Sequence, residues 1–162
     1  MSRETKILVA GVGNRLMGDD GFGPRVIDLL ASMALPQGVE VRDVGTAGIT
    51  IATDLADYDV VIFVDSMDTN ELEGSVSATR LEVTDSGGDV SELARMTLHE
   101  VGLEGLLRFS RAIGTLPERA FLVGCKPKRL EPSLELSTKV GEATERAVKL
   151  VLELIEKERE KG

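Results

Sequence analysis

The sequence predicts an α/β protein: a three-layer α/β/α sandwich around a mostly parallel, twisted sheet of about five strands, with one edge strand antiparallel. Three observations lead there. Short aliphatic runs alternate with segments of helical period, the pattern of strand–helix–strand units. Three of those runs are nearly continuous in apolar residues, as strands covered on both faces are. A fourth alternates apolar with polar residues, which marks a strand at the sheet edge.

The first strand is "KILVAGV", residues 6–12, and a glycine-rich turn, "GVGNRLMGDDGFG", follows directly from it. A helix is expected from Pro24, with Val26, Ile27, Leu30, Met33 and Ala34 on one face. Proline suits a first helical turn because its missing N–H would be unpaired there. "VEVRDV" (39–44) and "DVVIFVD" (59–65) are the next strands, and "ITIATDLADY" between them reads as a short helix. "SVSATRLEV" (75–83) is the alternating, antiparallel edge candidate. Residues 84–100 read as an irregular loop with a helical turn, before a helix aligning Leu103, Leu106, Leu107 and Ser110 and stopping at Gly114. "RAFLVGC" (119–125) is the fifth strand. The last helix carries Leu136, Val140, Ala143, Ala147, Leu150, Val151 and Leu154 at helical spacing, with Ser137 as N-cap. Residues 156–162 read as a solvated tail.

The chain of 162 residues suits one domain, with no linker or internal repeat. No apolar run reaches the length of a membrane span, and the charged start "MSRETK" lacks the apolar block of a signal peptide, so a cytoplasmic protein is expected. A formal charge of −9 argues against nucleic-acid binding, which neutralises phosphates with Lys and Arg. One cysteine, Cys125, precludes an intrachain disulfide or a cysteine cage for zinc. The single histidine, His99, must carry any imidazole chemistry.

In open α/β sheets ligands gather beyond the carboxyl ends of the strands. Asn14, Asp19 and Asp20 follow the first strand, Asp43 and "GTAG" the second, Asp65 and then Asp68 the third, and His99 lies in the long loop. Hard oxygen donors with one imidazole suit a divalent transition metal such as nickel or zinc. A dinucleotide site fits less well. Gly11 and Gly13 match a G-x-G-x-x-G pattern, but Leu16 stands at the third glycine, and two aspartates would face the pyrophosphate. No G-K-[ST] follows for a P-loop, and no G-x-S-x-G elbow exists. Each acid also has a plain structural role open to it. Asp20 can cap a helix, Asp65 can satisfy backbone amides, and Asp43 can hold the "GTAG" turn, the favoured role there. Cys125 reads as a small buried hydrophobe, although a Cys125–His99 nucleophile pair stays open.

"GVGNRLMGDDGFGPRV", "DVGTAG", "VIFVDSMD", "LHEVGL" and "LVGCKP" together resemble, in order and spacing from about residue 6 to residue 150, the hydrogenase maturation endopeptidases. The resemblance implies an α/β/α sandwich that removes the C-terminal extension of a nickel–iron hydrogenase large-subunit precursor after nickel insertion. It further implies that Asp20, Asp65 and His99 contact nickel carried by the substrate. The same three residues are the expected catalytic set, with the metal polarising the carbonyl or activating water and a carboxylate moving protons; nickel that serves only for recognition, with the hydrolytic groups elsewhere, stays open as the alternative. A noncatalytic metal-binding chaperone for the same precursor is the rival from another class, and a nucleotide-binding enzyme the weaker one.

Overall fold

The computed structural model describes residues 3–46, 48–82 and 102–162. Five strands form one sheet: β1 (Ile7–Val12), β2 (Val39–Gly45), β3 (Val60–Ser66), β4 (Val76–Leu81) and β5 (Arg119–Cys125), in the order β2-β1-β3-β5-β4. The pairs β1–β2, β1–β3 and β3–β5 are parallel, and among the described residues only β4 runs antiparallel, against β5. This is the expected mostly parallel sheet with an antiparallel edge.

Period-2 alternation divides the sheet's apolar residues between two cores. Ile7, Val9, Ile62, Val64 and Val123 face one layer, built by α1 (Phe22–Ala31) and α3 (Thr138–Lys161). Leu8, Ala10, Val61, Phe63 and Leu122 face the other, built by α2 (Leu103–Ile113) and two 3-10 turns. The central strands are therefore buried on both faces, which is why they read as unbroken apolar runs. No described helix is long and apolar enough to cross a membrane.

Several elements differ from expectation. A 3-10 turn, Gly18–Gly21, runs straight into α1, so the helix begins at Phe22 and Pro24 sits third in its first turn. That position is also free of an intrahelical N–H bond, so the proline costs nothing there. The helix ends at Ala31; Met33 lies beyond it and is 45% exposed, not on the core face. The segment expected as a short helix forms two 3-10 turns, Gly48–Ile51 and Asp54–Asp57, consistent with its β-branched Ile49, Thr50, Ile51 and Thr53. β4 ends at Leu81.

Residues 156–162 are exposed apart from Glu158, but they are helical up to Lys161 rather than a loose end. α3 continues through Lys161, and Glu158 is 1% exposed, accepting from Arg119 Nε at 2.9 Å and pairing with Lys161 Nζ at 3.0 Å. An acid amid a charge run reads as solvated until the fold brings Arg119 of β5 against it.

Candidate active site

β1 and β3 end side by side at the centre of the sheet, and their following residues converge on one rim. The turn after β1 depends on Gly13. Its φ of +136° is backbone that side chains rarely adopt, and a Cβ there would stand 2.0 Å from the Asp20 carbonyl oxygen. The chain doubles back at this glycine and lays the 3-10 turn across the end of β1. Gly23 does the same for the helix: a Cβ would meet the carbonyl oxygens of Val64 and Val12 at 2.3 and 2.4 Å. The close helix–strand packing expected of a third glycine at position 16 is thus supplied at position 23 instead.

Asp20 is fixed by two donors. The Asn14 N–H donates to its Oδ2 at 2.8 Å, and the Ser66 hydroxyl to its Oδ1 at 3.2 Å. It does not cap α1, whose N-cap is Gly21 with no side-chain bond. Asp65, near the end of β3, accepts from the Ser66 N–H at 2.8 Å. Burial and the neighbouring Asp20 carboxylate push its carboxyl up to about 8. Both acids open into a cavity of about 500 Å³, whose wall also includes Thr46, Met67, Leu103 and Leu107.

The adjacent Asp19 has a different task. It is fully buried and points away from that cavity's lining, accepting from the N–H groups of Lys128, Arg129 and Ser137 at 2.9, 2.9 and 2.7 Å and from the Ser137 hydroxyl at 2.8 Å. Burial opposes its charge, but the N–H groups of Arg129 and Ser137, the Ser137 hydroxyl and the Lys128 N–H together hold its carboxyl below the ordinary range. Asp19 pins the β5–α3 loop to the opening turn. It is not a donor for the candidate site. The Ser137 side chain, expected to cap α3, is committed to Asp19 and makes no capping bond.

The other acids are structural. Asp43 Oδ1 accepts from the Gly45 N–H at 2.9 Å, holding the "GTAG" turn, while its Oδ2 pairs with Arg15 at 2.9 Å. Asp68 is exposed and bonded to Lys126 Nζ. Cys125 is buried, and burial with the nearby Asp19 charge raises its thiol to about 11, away from thiolate chemistry.

Asp20 and Asp65 form no ion pair with a Lys or Arg among the described residues. Two hard oxygen donors without a counter-charge fit a cation, although among the described residues no three His, Cys, Asp or Glu side chains group closely enough to hold one alone. His99 lies outside the described residues, as does the expected loop 84–100. Gly102, three residues after His99, lines the cavity. Sequence reasoning missed Ser66, which reaches across to Asp20; its only signal was its place beside Asp65.

A sequence model described as hydrogenase maturation protease matches residues 24–154. The chain belongs to the hydrogenase maturation protease family. It is 32% identical over 148 residues to hydrogenase 2 maturation protease of Escherichia coli K12, covering 91% of this chain and 88% of that one. The crystal structure of hydrogenase 2 maturation peptidase from Thaumarchaeota archaeon SCGC_AB-539-E09 is 62% identical, with a TM-score of 0.73 and coverage of 93% and 98% of the two chains. The hydrogenase maturating endopeptidase HybD from Escherichia coli aligns at 30% identity and a TM-score of 0.75, over 95% of this chain and 94% of that one. The five-stranded α/β architecture of this maturation protease is therefore that of its relatives. The family match begins just past Asp20 and takes in Asp65 and His99.

Proposed function

We propose that this maturation protease removes the C-terminal extension of a nickel–iron hydrogenase large-subunit precursor, and that it recognises nickel already inserted in that substrate through Asp20, Asp65 and His99. The observation that carries this is the convergence of Asp20 and Asp65 at one cavity with no cation of their own among the described residues. Like charges held together out of water are costly unless a proton or a metal ion joins them. A substrate that brings the metal supplies what the pair lacks, so an unloaded precursor would meet a mismatched site. This makes metal insertion a condition for cutting.

Three donors from separate loops leave coordination positions for the substrate's own ligands. Nickel held there supplies Lewis-acid polarisation of the scissile carbonyl or of a water. Before nickel arrives, burial and Asp20 let Asp65 hold a proton, which it would give up as the cation binds. Asp20, held by Asn14 and Ser66, keeps a fixed oxygen towards the cation.

Incubation with nickel-loaded and nickel-free precursor, followed by intact mass, tests the proposal. The loaded precursor is expected to lose its extension and the unloaded one to stay whole. Equal cutting of both would remove the nickel checkpoint, and binding without any shortening would establish the chaperone instead.

A further inference from the structure

Two segments that meet beside the candidate site carry leucines that neither core uses. Leu16, in the turn after β1, is 61% exposed, and Leu134, in the loop between β5 and α3, is 71% exposed. Met17 and Ser133 form a parallel bridge, so Leu16, Leu134 and the exposed Pro132 directly flank it. A single exposed leucine is ordinary, but apolar side chains gathered at one place mark a contact surface.

The backbone beneath them is held firmly. The Ser133 N–H donates to the Leu16 carbonyl at 3.0 Å, the Gly18 N–H to the Ser133 carbonyl at 2.9 Å, and the Asp19 N–H to the Arg129 carbonyl at 2.8 Å. The Asp19 carboxylate accepts four more bonds from the same loop. A surface already fixed loses little conformational entropy when it is covered. Arg25 of α1 reaches the Leu134 carbonyl at 3.5 Å, which sets this face on the α1–α3 side of the sheet, across from α2. Asn14 ties the face to the site. Its side-chain oxygen accepts from the Leu16 N–H at 2.9 Å, while its own N–H donates to Asp20 at 2.8 Å.

We propose that Leu16, Pro132 and Leu134 form a docking surface for the body of the precursor, outside the cavity where the bond is cut. It rests on the function proposed above and adds to it where the substrate is held away from the cut. Continuity decides the occupant. A protein that brings its metal to Asp20 also lies over the turn that carries Leu16, four residues earlier. A second copy of this chain seated on the same leucines would stand in its way.

The test uses the full-length protein and nickel-loaded precursor, with Leu134→Asp, Leu134→Met and, as a control, Met33→Asp beyond the far end of α1. Leu134→Asp is expected to raise KM about tenfold while kcat stays within about twofold and the melting temperature is unchanged. Leu134→Met and Met33→Asp should both match the unaltered protein. If Leu134→Asp melts early, Leu16→Asp is measured in its place. An unchanged KM in the folded variant, or an equal rise in Met33→Asp, overturns the docking surface alone. Without precursor, Leu134→Asp is expected to sediment like the unaltered protein; dissociation of a dimer by this change would assign the face to a second copy and overturn the proposal. Failure of the unaltered protein to shorten the precursor overturns the proposed function and the docking surface with it.

Discussion

Asp19 and Asp65 are two carboxyl groups withdrawn from water in the same small protein, and the fold moves them in opposite directions. Asp19 receives four hydrogen bonds from Lys128, Arg129 and Ser137 and is held in its charged form. Asp65 receives one from Ser66, faces the Asp20 carboxylate, and is pushed up to about 8. Burial opposes the charge of both and is the largest cause of the rise at Asp65, with the Asp20 carboxylate adding to it; at Asp19 the four donors outweigh it. One arrangement keeps the charge and ties the chain together; the other keeps a proton on an acid that faces the cavity.

The contrast is broken most directly at the site. Asp20→Asn, Asp65→Asn and His99→Ala are each expected to reduce precursor processing below detection, by intact mass, while the Asn variants melt no earlier than the unaltered protein. The amides keep the shape and remove the charge. Normal trimming by all three would refute the assignment of these residues.

Next in size is Asp19→Ala. It strands the buried donors of Ser137 and the part-buried N–H groups of Lys128 and Arg129, and is expected to cost on the order of 3 kcal/mol in denaturant unfolding. If this variant loses activity while keeping its stability, the division of labour between Asp19 and Asp20 is wrong.

The two carboxyls also differ in their pH dependence. Asp19 is lowered on folding, so its contribution is complete above its unfolded value of about 3.9 and is lost as pH falls through the folded one. Asp65 is raised, so from about pH 4 to about 8 the unfolded chain has released a proton that the folded chain keeps. Its contribution therefore falls as pH rises across that window. The stability advantage of Asp65→Asn over the unaltered protein should grow over the same range in melts taken at successive pH values. A difference independent of pH would contradict the raised Asp65 carboxyl.

The smallest effect is expected at Arg15, whose partners Asp28 and Asp43 lie at the surface. Arg15→Gln should change stability by no more than about 1 kcal/mol, and by less at high salt. A larger loss would mean that the Asp43 turn depends on this ion pair.

Much of this was legible in the residues. The unbroken apolar runs at β1, β3 and β5 revealed strands covered on both faces, and the alternation in β4 revealed an edge. Gly114 was readable as a helix stop and takes the left-handed conformation that ends α2. Asp43 was readable as the holder of its own turn because its partner is two residues away. The pairing of Asp20 with Asp65 followed from the rule that strand ends meet at one rim, although they are 45 residues apart. Local spacing carried no sign that Asp19 would find Ser137, that Ser66 would reach Asp20, or that Glu158 would be buried against Arg119.

The sequence by itself determined the five strands and the three long helices, where the chain must turn on glycine, and which acids stand at strand ends. These depend on local periodicity and on steric limits within a few residues. Only the tertiary structure decided which of two adjacent aspartates faces the cavity and which anchors a loop. A carboxylate's role depends on the donors and charges around it, and those arrive from parts of the chain more than a hundred residues away, as Lys128, Arg129 and Ser137 do for Asp19.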